Sequence, residues 1–357
     1  MRKDQIAVIY GTDAKKMAYD LMKHADIASQ LEPGMSIGLK PNLVLARPSD
    51  SGATTTPGLL EGAIDYLQEN GHTRITILES SWIGDSTKRA FKVCGFEDMA
   101  RRKNVRLLDL KGDKTKNIRG MNVCQSALEL DYLINFPVLK GHCQTVLTCA
   151  LKNMKGCIPD SEKRRFHTQG LHKPIATLAT IIRPHLNIVD GLNGDLNFEE
   201  GGNPVPMNRA LLGFDSVLVD AYACRLMGID LDEVDYIAMA AALGAGSMDI
   251  AGDTVIELNQ DTFEGKRPVT SRHAQRLAKY IQEDQACSAC YGSLIHALHR
   301  LENSRSLRKL KGPIRIGQGF KGKGGDIGVG KCTAGCMYHV GGCPPRADQI
   351  IEMIESL

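Results

Sequence analysis

Four thiols near the end of the chain could hold a metal. Cys287-Ser288-Ala289-Cys290 forms a close pair, and Cys332 and Cys343 follow downstream, the latter in Gly342-Cys343-Pro344-Pro345. A thiolate cage needs four soft ligands brought together, and one close pair plus two distant loop cysteines supplies them. Zinc accepts four thiolates as well, so ligand type alone does not separate the metals. The context favours an iron–sulfur cluster. Seven glycines lie between Gly317 and Gly330, and they let the backbone turn N–H groups toward a cluster's sulfurs, where such bonds help set the potential. The prolines after Cys343 stiffen the exit and aim that thiolate inward. Cys336 competes for a place, because four residues from Cys332 it would share one side of a helical turn. Cys332 is the expected ligand since it leaves the glycine loop; Cys336 is then a free thiol, or the ligand itself if that loop is shorter. Unliganded or redox thiols are the third reading. Cys94, Cys124, Cys143, Cys149, Cys157 and Cys224 lie singly and read as buried apolar thiols.

A second cluster is cationic. Lys140, His142, Lys152, Asn153, Lys155, Arg164, Arg165, His167, His172 and Lys173 crowd one stretch, while the formal net charge of the whole chain is only +3. A solvated basic face is the plain explanation, since Lys and Arg are usually exposed. The functional one is a pocket for a carboxylate or phosphate, with Lys and Arg as charge partners and a histidine moving a proton near neutral pH. The expected binding residues are Lys40, Asn42, Lys152, Asn153, Lys155, Arg165 and His167, with His142 and Lys140 as the catalytic pair. Glu79, Ser81 and Asp85 form a polar loop that could join them. Asp215 reads as the cap of a helix beginning at Ser216, and Asp220, one turn inside, as a partner for a Lys or Arg of the basic stretch. Asp190 is either a turn residue or a ligand. His24 and His185 read as structural.

Alternating strands and helices must position these groups. Ile6 to Tyr10, Ser36 to Lys40, Arg74 to Leu78, Val105 to Leu110, Tyr132 to Phe136 and Leu186 to Val189 are strand-like. Between them the apolar spacing predicts helices over about 13–30 and 58–69, and near 125–130, 175–182 and 216–227. Asn70-Gly71 marks one helix stop. This order predicts an α/β fold with a mainly parallel sheet flanked by helices, whose loops at the carboxyl ends of strands gather the functional groups. Lys40-Pro41-Asn42, Glu79-Ser80-Ser81, Lys140-Gly141-His142 and Asp190-Gly191 all sit there. Near residue 265 the composition changes. A boundary between Lys266 and Thr270 divides the chain into an α/β domain, 1–268, and a small cysteine- and glycine-rich iron–sulfur domain, 269–357, with a helical stretch Leu294 to Leu301 behind the close thiol pair.

The composition of the 357 residues narrows the function classes. A net charge this small gives no reason to expect nucleic acid or an acidic membrane surface as partner. The N-terminal apolar run is too short for a signal peptide, and no stretch approaches the length of a membrane span, so a cytoplasmic protein is expected. Eleven cysteines in such a chain favour metal binding or buried thiols over disulfides. No phosphate-binding loop, nucleophile elbow or dinucleotide fingerprint is present.

Two resemblances sharpen this reading. The tail GGCPPRADQIIEMIESL resembles the Gly-Cys-Pro-Pro cluster motif of the small subunits of NADH:ubiquinone oxidoreductase and nickel-iron hydrogenases, which implies a 4Fe–4S cluster with Cys343 as one ligand. More broadly, Lys40-Pro41-Asn42, Asn135-Phe136-Pro137-Val138-Leu139-Lys140-Gly141-His142, Leu151-Lys152-Asn153-Met154-Lys155-Gly156, Val189-Asp190-Gly191, and Asp215 with Asp220 before Met227-Gly228 resemble the ordered motifs of the domain of unknown function 362 family. That resemblance runs from about residue 36 to 230. It implies kinship with proteins often described as iron–sulfur proteins, with no general reaction assigned. The expected function is a redox enzyme or electron-transfer partner acting on an anionic small molecule, with a redox protein as a further partner. The alternatives are a non-redox enzyme in which His142 and Lys140 move protons on a carboxylate, and a protein that delivers clusters to clients.

Overall fold

The computed structural model describes residues 1–262 and 272–357. The boundary expected between Lys266 and Thr270 lies outside the described residues, so the division at 268 stays an expectation. Eight strands form the main sheet: β1 Ile6–Tyr10, β2 Ile37–Pro41, β3 Ile75–Glu79, β4 Arg106–Asp109, β5 Tyr132–Phe136, β6 Leu186–Asp195, β7 Pro204–Gly213 and β8 Val255–Glu257. Their order is β8-β1-β7-β6-β5-β2-β3-β4. Pairings from β6 through β4 are parallel, as is β1 with β8, while β7 runs antiparallel to both neighbours. The sheet is thus mainly parallel, as the alternation predicts.

Period-two alternation builds the two faces. Ile6, Val8 and Tyr10 enter one core, and Ala7 and Ile9 the other. Helices Ala14–His24 and Pro57–Glu69 cover the second face; His172–Ile181, Ser216–Met227 and Asp235–Ala242 cover the first. The helix expected over 13–30 ends at His24, because Asp26 turns the backbone to a positive φ of 50°. Strand β7 was not expected, and β6 runs past Val189 to Asp195. Their Gly-, Asn- and Pro-containing sequences read as loop, but ten-residue pairing with a bulge near Gly191 overrides local propensity. Lys140–His142 is likewise a strand, hairpin-paired with Val146–Thr148 instead of lying in a loop.

The C-terminal unit carries a second sheet, all parallel: β9 Ile281–Glu283, β10 Ile314–Ile316, β11 Gly325–Val329 and β12 Cys336–Val340. Helix Ser288–Asn303, longer at both ends than the expected stretch, packs with the last helix, Ala347–Glu355, in a third core that also takes in Phe198 and Cys143 of the larger unit. Further contacts cross between the units. Phe198 stacks on His296 with centroids 3.9 Å apart, His296 Nε2 stands 3.1 Å from Glu200 Oε1, and Ser288 donates to Gln144 at 2.9 Å. Among the described residues, no helix is long and apolar enough to cross a membrane.

Candidate functional site

The chain runs from β2 outward through β3 to β4 and then returns to β5 on the other side of β2. Ligands in such sheets bind beyond the carboxyl ends of the strands where this reversal opens a crevice. Lys40 sits there opposite Asn135, its side chain on the face away from Ile37 and Leu39 and fully buried. An unpaired buried ammonium would cost several kcal/mol, and the sequence supplies partners. Lys40 Nζ donates to Glu79 Oε2 at 2.8 Å and to the Pro41 carbonyl at 2.9 Å. Asn153 Oδ1 stands 3.5 Å away, and its amide donates to Asn135 at 2.7 Å. Glu79 also accepts from Leu43 N and Ser80 N. Gly156 lies so close to this pair that a Cβ there would strike Glu79 Oε1 and Lys40 Nζ.

Three further lysines surround this core. Lys140 Nζ is enclosed by Asn42 Oδ1 at 3.1 Å, the Glu199 carbonyl at 2.8 Å and the Ala53 carbonyl, and burial lowers its pKa to about 7. Lys152 Nζ pairs with Glu199 Oε1 and donates to Thr148. Lys163 Nζ donates to Ser80 O, Ser80 Oγ and Ser81 O at 2.8, 2.6 and 2.8 Å, and burial lowers its pKa to about 8. Glu199 is a hub. Burial opposes its ionisation, but Lys152 and His142 outweigh that and hold it well below the usual carboxylate range. His142 Nδ1 accepts from Gln144 N and Thr145 N, each at 3.0 Å, which leaves the ring proton on Nε2, 3.1 Å from Glu199 Oε2. Burial, then Lys152, lower its pKa to about 4; the imidazole is neutral.

One cavity joins this network to the cysteines. Its wall includes Asn42, Glu79, Ser80, Ser81, Trp82, Lys152, Asn153, Lys155, Lys163, His167 and Glu199 from the larger unit, and Cys287, Cys290, Cys343 and Pro344 from the smaller. Lys163 and His167 are four apart on helix Asp160–Thr168 and so share its inner face. Gly84 takes a φ of +89° and passes so near the Cys343 carbonyl that a Cβ would stand 2.7 Å from it, which seats the Cys343 loop against the mouth. Of the four expected ligands, Cys287, Cys290 and Cys343 line this cavity, and Cys332 lies near enough to act on the first two. Burial, then Cys343 and Cys332, raise the Cys287 thiol to about 11 against the lowering effect of Lys155 and Arg164; Cys290 is raised by burial and by Cys287, Cys343 and Cys332.

Among the described residues, no three His, Cys, Asp or Glu side chains stand close enough for a single metal ion. A 4Fe–4S cluster makes a different demand, because each thiolate binds a different iron and the four stand further apart. Cys287 and Cys290, both acted on by Cys332 and Cys343, with Lys155 and Arg164 offsetting the charge at Cys287, fit that donor set. Cys336 takes no part in it. It opens β12 with its sulfur packed against Gly328, whereas Cys332 lies in the turn Lys331–Thr333, so the two do not share a helical turn.

Other expectations need correction. Arg165 faces Glu162 and the Gly120 carbonyl, outside the cavity wall. Lys140 and His142 stand behind the wall, committed to Asn42, Glu199 and backbone groups. Among the described residues Asp220 pairs with no cation: it caps the short helix Ala150–Asn153, accepting from Ala150 N at 2.6 Å and Leu151 N at 3.1 Å. Asp215 does cap the helix at Ser216, and Asp190, expected as a turn residue or a ligand, lies within β6 and accepts from Thr56 N and Leu192 N. His185 Nδ1 accepts from Leu133 N, and His172 packs on Tyr236. Sequence reasoning missed Glu199, Trp82 and Lys163. The spacing of Lys163 and His167 was the available signal for one of them.

The family model described as Domain of unknown function (DUF362) matches residues 37–225, just over half of the chain and the whole cationic network. A thylakoid-associated protein of Synechocystis sp. is 22% identical over 215 residues, 57% of this chain and 65% of the relative, so this chain spans just under two thirds of that relative's length. Among solved structures, the lactate racemase apoprotein from Thermoanaerobacterium thermosaccharolyticum is similar over 64% of this chain and 59% of that one, at 11% identity and a TM-score of 0.41. A protein from Thermotoga maritima is similar over 65% of this chain and 60% of that one, at 14% identity and a TM-score of 0.37.

Proposed function

Since the chain belongs to the Domain of unknown function (DUF362) family, whose description carries no reaction, we propose its function from the site: an iron–sulfur protein, with a 4Fe–4S cluster on Cys287, Cys290, Cys332 and Cys343, working as a redox enzyme or electron-transfer partner on an anionic small molecule. The supporting observation is that Cys287, Cys290 and Cys343 and the cations Lys152, Lys155 and Lys163 wall one cavity. A bound cluster supplies one-electron transfer at a potential set by its hydrogen bonds and burial.

The chain's own residues do the rest. Lys152 and Lys163 fix the electrostatics of the wall through Glu199 and the Ser80-Ser81 backbone, and Lys155 and Arg164 counter the negative charge that four thiolates bring together. Trp82, Ile83 and Pro344 exclude water from the mouth. Proton transfer by Lys140 and His142 is the weaker reading, because neither side chain lines the cavity and Lys140 is held by Asn42, Ala53 and Glu199. Within the proposal, the C-terminal unit is a cluster domain, a carboxylate or phosphate is the substrate head group, a redox protein exchanges electrons with it, and the thiolates belong in a reducing cytoplasm.

Anaerobic purification followed by visible absorption, iron and sulfide analysis and paramagnetic resonance tests this. Four irons and four sulfides per chain, with a signal on reduction, are expected. A colourless protein carrying stoichiometric zinc overturns it.

A further inference from the structure

The polar groups of the cavity fall into two classes. Glu79, Lys152, Asn153, Lys163 and Glu199 are satisfied by one another or by the backbone, as described above. Lys155 and His167 are not. Among the described residues, no acceptor lies within hydrogen-bonding or ion-pairing reach of the Lys155 ammonium, and Nδ1 of His167 is buried without a hydrogen-bond partner. His167 is 8% exposed, and Lys155 is the charge acting most strongly on it. An orphaned donor or acceptor costs about 1–3 kcal/mol, more when charged. Two such groups side by side in one cavity are the signature of a ligand that relieves both.

The remaining features of the cavity define that ligand. Among the described residues that line the cavity, Lys155 is the one ammonium without a hydrogen bond or ion pair, so a single negative charge is matched, while a phosphate dianion would set its second charge against Glu199 and the thiols. The space open to the centres of water-sized molecules is about 70 Å³, room for only a few non-hydrogen atoms. Val44, Trp82, Ile83, Ala289 and Pro344 give the lining an apolar side, suited to a short carbon tail.

Resting on the anion reading above, we propose that Lys155 and His167 together bind the head group of a small monocarboxylate, Lys155 as charge partner and His167 as hydrogen-bond partner, with the tail against Trp82. Trp82 is the single tryptophan of the chain and reports on its own wall. The test titrates anaerobically purified protein with formate, acetate, propionate, butyrate and hexanoate, by calorimetry and by tryptophan emission, with iron measured on the same sample. Saturable binding of acetate and propionate is expected, at least tenfold weaker for hexanoate, and at least tenfold weaker for acetate in Lys155→Met and in His167→Phe. Inorganic phosphate should not compete. Lys155→Met should unfold at or above the wild-type temperature, since it removes an ammonium with no partner, so a loss of binding is not a loss of fold. Iron-loaded protein that binds none of the five acids, or binds them equally well in both variants, overturns the assignment. Iron-free protein that binds acetate with the expected variant dependence sustains it while removing the cluster.

Discussion

The two walls of the cavity are built on opposite principles. The wall from β2, β3 and the stretch after β5 closes its own electrostatics: Lys40 meets Glu79, Lys152 meets Glu199, and Lys140 and Lys163 are ringed by carbonyls and hydroxyls. The facing wall does the reverse, because the thiols of Cys287 and Cys290 are raised by burial and by the neighbouring thiols of Cys332 and Cys343, which offer no compensation. A wall whose charges cancel folds without help. A wall whose donors repel as they ionise asks for a cation, which a metal cluster provides. The comparison teaches that the cationic residues most conspicuous in the sequence are mainly structural, and that ligand-facing groups are recognised by missing partners.

The largest effect expected from this contrast is complete. Cys287→Ala or Cys343→Ser should take iron per chain to zero with loss of visible absorption, while Cys336→Ala keeps the colour. Thermal unfolding of the iron-free proteins should stay near that of iron-free wild type for Cys343→Ser, whose residue is exposed. If these substitutions leave iron bound, the cysteine wall has been misread. Next in size is Lys40→Met. Removing one partner of a buried pair leaves Glu79 uncompensated and should cost about 3–5 kcal/mol in denaturant unfolding, and the double variant Lys40→Met with Glu79→Gln should recover part of it. A change under about 1 kcal/mol would mean that this wall does not depend on its pairs.

Sequence reasoning reached the mainly parallel sheet and part of the cavity lining, Asn42, Lys152, Asn153, Lys155, His167, Cys287, Cys290 and Cys343, because each leaves a local trace: strand-helix alternation, a C-x-x-C pair, a Gly-Cys-Pro-Pro segment, and Lys or Asn just past a strand. It did not reach the division of labour. Whether Lys140 or Lys155 faces the ligand is decided by which carbonyls happen to surround each ammonium, and Ala53, Asn42 and Glu199 come to Lys140 from distant parts of the chain. Glu199 sits in a loop between two strands, one of them unforeseen, so nothing in its neighbourhood marks it. Asp220 was misassigned for a related reason. The helix it caps, Ala150–Asn153, is four residues long, too short to show a periodicity.

That cap yields an intermediate effect with a defined sign. Burial raises the Asp220 carboxyl from 3.8 to about 7, against the two amides that it accepts. Between those pH values the folded chain therefore holds more protons than the unfolded one. The stability contributed is full below pH 3.8 and is lost as pH rises through about 7, at a rate on the order of 1 kcal/mol per pH unit. Urea unfolding at several pH values should show wild type losing stability across this window relative to Asp220→Asn. Parallel profiles would show that the carboxyl is ionised throughout, stabilised by Ala150 and Leu151.

The smallest effect is the sharpest test of where the ligand wall ends. Arg165 was expected to bind substrate, yet its side chain is 38% exposed and pairs with Glu162, which also accepts from Asn122 N at 3.3 Å. A pair with one solvated partner contributes about 1 kcal/mol or less, so Arg165→Ala should lower stability by no more than that. Its iron content and acetate affinity should match wild type, in contrast with Lys155→Met, although both remove one cation from the same basic stretch. Equal losses of acetate affinity would mean that the anion responds to the net charge of the stretch and not to particular partnerless groups. A tenfold loss confined to Lys155→Met would show that the lack of a partner, and not charge as such, marks the residues that touch the ligand.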